Sequence, residues 1–128
     1  MNEEILQEIE DTLQELSRLA SDGAVIVVEG KKDVFSLSKL GINGRFFTVM
    51  NGSSMVNNMD ELMKEREVIV LMDFDRRGRE MVSFCKRHLS GVKNLHLNTE
   101  IWEKLKSLVG KYVKDVEGLA SYLDSRRS

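Results

Sequence analysis

The sequence predicts an α/β fold, a three-layer α/β/α sandwich around a four-stranded parallel sheet. Three observations predict it. Short unbroken apolar runs, Ala24-Val25-Ile26-Val27-Val28 and Val68-Ile69-Val70-Leu71-Met72, read as strands covered on both faces. Stretches with apolar residues at helical spacing separate the strands, and such alternation implies parallel pairing through crossovers. The first and third strands each end in an acidic group followed by glycine, and parallel sheets carry their chemistry outside the C-terminal ends of the strands.

In chain order, residues 3–20 form an amphipathic helix through Ile5, Ile9, Leu13, Leu16 and Ala20. Asn2 is its expected N-cap, Glu3 and Glu4 complement its dipole, and Ser21-Asp22-Gly23 ends it. Strand one covers 24–28. Helical sequence follows through Val34, Phe35, Leu37 and Leu40, until Gly41 and Gly44 break it. Strand two covers 46–50, and the loop Asn51-Gly52-Ser53-Ser54 leads into a helix whose Met55, Met59, Leu62 and Met63 read as core. Strand three covers 68–72, with a helix through Met81, Val82, Phe84, Cys85 and Leu89 behind it. A weaker fourth strand spans 93–97, and a last helical region runs from Glu100 toward Leu123, interrupted at Gly110. The expected organisation is an N-terminal helix over 1–22 packed on a core of 23–98, with a helical extension over 99–128.

A chain of 128 residues suits one domain. At this size roughly two-thirds of the unfolded surface is buried, so no metal or disulfide staple is needed for folding. Cys85 is the single cysteine, which excludes an internal disulfide and a Cys-based zinc site; it reads as a small buried hydrophobe. No apolar run approaches the ~20 residues of a membrane span, and the acidic start Met1-Asn2-Glu3-Glu4 lacks the basic region of a signal peptide. A cytoplasmic protein with no membrane partner is expected. The net charge of −2 argues mildly against a nucleic-acid partner on average, so the local distribution has to decide.

That distribution is uneven. Strand one ends in Glu29-Gly30-Lys31-Lys32-Asp33 and strand three in Asp73-Phe74-Asp75-Arg76-Arg77-Gly78, with Arg79 next. If the two strands are neighbours, Glu29 lies about one strand spacing, ~5 Å, from Asp73. Strand one is therefore expected between strands two and three. Three carboxylates then converge, and such crowding is relieved by a proton or a cation. Carboxylate oxygens suit Mg²⁺, or Mn²⁺, better than zinc. Each half alone also reads as a turn, solvated in one case and helix-opening in the other; the pair at corresponding strand ends carries the weight. Lys31, Lys32, Arg76, Arg77 and Arg79 ring the acidic cluster, as ion pairs within the protein or as a landing site for phosphate.

Glu29-Gly30-x-x-Asp33 followed by Asp73-x-Asp75-x-x-Gly78 resembles the signature of the Toprim family, found in bacterial primases, topoisomerases, recombination-repair proteins, nucleases and the maturase of 5S ribosomal RNA. The similarity spans roughly 23–98. It implies a Rossmann-like parallel sheet, with Glu29 as general acid/base or metal ligand and Asp73 and Asp75 as Mg²⁺ ligands. It also implies Gly30 and Gly78 as glycines that permit a tight backbone, and Asp33 as a residue that fixes the turn or caps the helix. Asn51-Gly52-Ser53 resembles a segment of the ribosomal-RNA maturases that would offer N–H groups and a hydroxyl to phosphate; an ordinary Asn-Gly turn has the same sequence. Lys114-Asp115-Val116-Glu117-Gly118 looks like the Lys-Asp segment late in many Toprim domains. Here a helix-length stretch separates it from strand four, which weighs against a metal role for Asp115. The resemblance implies Mg²⁺-dependent chemistry on RNA or DNA phosphodiesters, as a nuclease or RNA-processing enzyme. The alternative is a non-catalytic binding module or a subunit of a replication, repair or RNA-processing complex. Topoisomerase activity and stand-alone priming are disfavoured, because 128 residues leave no room for a gate domain or a zinc module.

Overall fold

The structure, a computed structural model, describes residues 2–127; the outermost positions of the expected end segments, 1 and 128, lie outside it. Asn2 opens α1 (Glu3–Ser21), its side-chain oxygen accepting from the Ile5 N–H at 2.8 Å. The helix buries Ile9, Leu13, Leu16 and Ala20, the stripe its spacing predicts. Then come β1 (Val25–Val28), α2 (Lys31–Lys39), β2 (Arg45–Thr48), α3 (Met55–Leu62), β3 (Glu67–Val70), α4 (Arg76–Leu89), β4 (His96–Asn98), α5 (Glu100–Val109) and α6 (Leu119–Arg127).

All four strands are parallel, in the order β2-β1-β3-β4. β1 is buried at every position, and as a central strand it pairs Val25 with Arg45 on one side and with Val68 on the other. Its unbroken apolar run is what covering on both faces requires. β2 lies at an edge and is less buried; Arg45 there holds Glu65 in an ion pair. The fourth strand is shorter and later than its sequence suggests. Asn94 adopts φ of +67°, and Leu95 donates to the Val92 carbonyl at 3.3 Å, so 92–95 turns before pairing begins.

Helices form the outer layers. Packing joins α1 to α5 and α2 to α6, and an Arg127–Glu10 ion pair at 2.6 Å joins α6 to α1, so these four share one layer. α3 packs with α4. The right-handed crossover rule sets these two on the opposite face, because β1-α2-β2 moves across the sheet one way and β2-α3-β3 and β3-α4-β4 the other. The longest helix of each layer differs in charge. α1 carries Glu3, Glu4, Glu8, Glu10, Asp11 and Glu15 against Arg18, whereas α4 carries Arg76, Arg77, Arg79, Lys86 and Arg87 against Glu80.

One core runs through the molecule from Ile9 in α1 to Leu123 in α6, and Cys85 and Trp102 are buried within it. Phe35 and Met63 depart from the expected apolar pattern, and Met63, just past α3, is exposed rather than core. α2 buries Leu37, and Phe35, about 200° around the helix from it, is 65% exposed.

Candidate functional site

The acidic groups meet where β1 and β3 end side by side. The Asp73 backbone N–H donates to Glu29 Oε2 at 3.2 Å, which locks the two strand ends together. Glu29 is only 6% exposed. Burial, and then a hydrogen bond and repulsion from the Asp73 carboxylate, push its carboxyl up to about 7, opposed by the Asp73 N–H and by Arg77. Arg77, largely exposed, stands 3.9 Å from the other Glu29 oxygen, too far for a hydrogen bond.

Asp73 is anchored in turn: its Oδ1 accepts from the Val116 N–H at 3.1 Å. The Phe74 N–H donates to the Lys114 carbonyl at 2.8 Å, so the segment between α5 and α6 runs along residues 73–74. That contact carries Asp115 and Glu117 into the cleft. The cleft, of about 430 Å³, is lined by Glu29, Asp33, Asp73, Asp115 and Glu117, with Lys31, Lys32 and Met50 at its sides. Asp33 accepts from the Gly30 N–H at 2.9 Å and so caps the start of α2. Burial raises its pKa, and repulsion from Asp73, Glu117 and Asp115 adds to the rise against the Gly30 N–H.

Asp75 plays a different part. Its Oδ1 accepts from the Gly78 N–H at 2.8 Å as the N-cap of α4, and it does not line the cleft. Gly78 has a steric reason to be glycine: a Cβ there would stand 1.9 Å from the Asp73 carbonyl oxygen. Gly30 has none of this kind, since its backbone is extended and a Cβ would meet open space. The Asn51 side chain is consumed within its own loop, with Oδ1 accepting from the Ser53 N–H and Nδ2 donating to the Thr48 carbonyl and to Asn58. Gly52 takes φ of +87°, and Gly52 and Ser53 remain exposed.

The cations flank the cleft. Lys31 and Lys32 open α2, and Lys32 reaches Glu117 at 3.8 Å. Arg76 and Arg79, with Ser83 and Arg87, line an open groove of about 610 Å³ along the outer face of α4. Trp102 of α5 also supports the site: its indole N–H donates to the Met72 carbonyl at 2.8 Å, just past β3 and one residue before Asp73. A lone tryptophan on an apolar helix face carries no signal of that contact.

Among the described residues, no three His, Cys, Asp or Glu side chains are arranged as a finished metal cage, and no helix is long and apolar enough to cross a membrane. A family model described as the Toprim domain matches residues 23–99. The chain is similar to a UPF0292 protein of Methanosarcina acetivorans, at 38% identity over 96% of this chain and 85% of that protein. It is also similar to one of Methanocaldococcus jannaschii, at 32% identity over 97% of this chain and 96% of that protein. A solved structure of a protein from Aquifex aeolicus superposes with a TM-score of 0.67 at 29% identity, covering 84% of this chain and 94% of that one.

Proposed function

The chain belongs to the Toprim-domain family, and from that premise we propose that it is a Mg²⁺-dependent enzyme acting on nucleic-acid phosphodiesters, a nuclease or RNA-processing activity. One observation carries the reading: a buried glutamate and a neighbouring aspartate at adjacent strand ends, crowded enough that Glu29 holds a proton near neutrality. A hard cation relieves the same crowding. The donors fit. They are all carboxylates, and Glu29 and Asp73 each have one oxygen tied to a backbone N–H, which orients the side chain.

In this reading Glu29 and Asp73 hold the metal, Asp75 joins them from the head of α4, and Mn²⁺ can replace Mg²⁺. Mg²⁺ bound there supplies charge neutralisation and water activation at a phosphate. Where Asp73 and Asp75 alone hold the metal, Glu29 is placed beside it as the proton shuttle. Lys31, Lys32, Arg76, Arg77, Arg79 and the exposed Gly52-Ser53 turn receive the nucleic acid.

Asp75, spent on capping α4 and outside the cleft lining, favours a second reading, a non-catalytic module that binds nucleic acid or a protein in a larger complex. One screen separates the two. Purified protein is incubated with single-stranded, duplex and hairpin RNA and DNA, with Mg²⁺ or with EDTA. The enzyme reading expects cleavage that needs Mg²⁺ and disappears in Glu29→Gln; binding without cleavage on every substrate supports the module instead.

A further inference from the structure

We propose that the outer face of α2 is a stacking track for single-stranded nucleic acid leading away from the acidic cleft, with Phe35 as its base platform and Lys31 and Lys39 as its phosphate contacts. The inference rests on the functional reading above and narrows its substrate to an unpaired strand.

The observation is an exposed aromatic ring where packing gives no reason for one. Phe35 is 65% exposed, while Ser36 and Leu37 of the same helix are buried. Lys31 and Lys39 stand four residues to either side, so all three side chains form one stripe on α2. The Lys39 ammonium lies over the Phe35 ring, 4.7 Å from its centroid. Lys31, one turn from the ring, lines the acidic cleft itself. The stripe thus begins at the site and runs outward for about 12 Å. Met50, also 65% exposed, sits at the cleft margin and adds a second apolar contact at the inner end.

The chemistry of the occupant follows from the alternation. A base offers a π-face to an aromatic ring and its flanking phosphates offer charge to the lysines, and this combination tolerates any sequence. A duplex hides its base faces, so it would meet only the lysines.

The test uses the full chain and a fluorescent single strand of about a dozen nucleotides, with a duplex of the same sequence for comparison. Ca²⁺ replaces Mg²⁺ to limit cutting. Phe35→Ala should weaken single-strand binding roughly five- to hundredfold and leave duplex binding unchanged. Phe35→Trp should restore the affinity, and its new exposed indole should be quenched by the strand. Lys31→Ala and Lys39→Ala should each flatten the salt dependence by about 0.7. Equal single-strand affinity in wild type and Phe35→Ala overturns the track, as does an equal loss for duplex. Loss of self-association in Phe35→Ala with strand binding intact makes the face a protein interface and overturns it too. Mg²⁺-dependent cleavage that survives any of these results leaves the enzyme reading standing, whereas absent cleavage with a working track removes only that reading.

Discussion

The Glu29, Asp73 and Asp75 carboxylates are each held by a backbone N–H, and consequences follow at the level of single residues. With the metal removed, Glu29 is a buried acid with its pKa raised to about 7. Folding therefore favours its protonated form, and the associated stability is complete below the unfolded pKa and lost as pH rises through 7. The loss should be on the order of 1 to 3 kcal/mol between pH 5 and pH 8 in EDTA. Urea titrations should show it in the wild type and not in Glu29→Gln. Mg²⁺ should work against the same repulsion: at a hundredfold excess over Kd it should stabilise by about 2.7 kcal/mol, and Asp73→Asn should lose most of that gain. Thermal melts with and without Mg²⁺ decide this. An identical response in both proteins would move the metal away from Asp73. Gly78→Ala belongs here as well. Its methyl would collide with the Asp73 carbonyl at 1.9 Å, so it should destabilise by at least about 2 kcal/mol.

At the scale of elements, α4 has two jobs. Its head, capped by Asp75, begins beside the acidic pair, and its outer face presents Arg76, Arg79 and Arg87 along one groove. Replacing Arg76, Arg77 and Arg79 together by alanine should weaken duplex binding and reduce its salt slope by about 2 to 3. The melting temperature should hardly move, because ion pairs as exposed as Arg76–Glu80 contribute little. Anisotropy measured across a salt series checks both. β1 and β3 were legible because double-sided burial leaves an apolar run, and their adjacency because the Glu29–Asp73 pairing demands it, whereas β4, short and at the edge, was placed too early. The end of β3 and the head of α4 were legible from Asp73 through Gly78 alone. What lay hidden was the approach of the segment after α5. Asp115 looked remote because separation along the chain says nothing about where a helix returns it. The contacts that bring it back, Val116 to Asp73 and Lys114 to Phe74, run through backbone groups that any residue possesses. Phe35 is exposed for a related reason: three apolar residues in a nine-residue helix fit the helical pattern without all facing inward.

For the whole molecule, the average charge of −2 conceals two unlike sides. The acidic helix α1 and the basic helix α4 lie on opposite faces of the sheet, so a polyanion would be drawn toward α4 and turned from α1. Association with an RNA or DNA strand should slow steeply with added salt, a trend that stopped-flow anisotropy reads directly. The tie between Asp73 and Val116 bears on how the protein can be divided. The stretch that matches the family model stops at residue 99, yet the hydrogen bonds that hold Asp73 and the end of β3 come from residues 102, 114 and 116. A fragment ending at 99 would keep every signature residue and lose the props beneath them. The recognisable motif is therefore not a portable part, and grafting it onto another scaffold would move the ligands without the means to aim them.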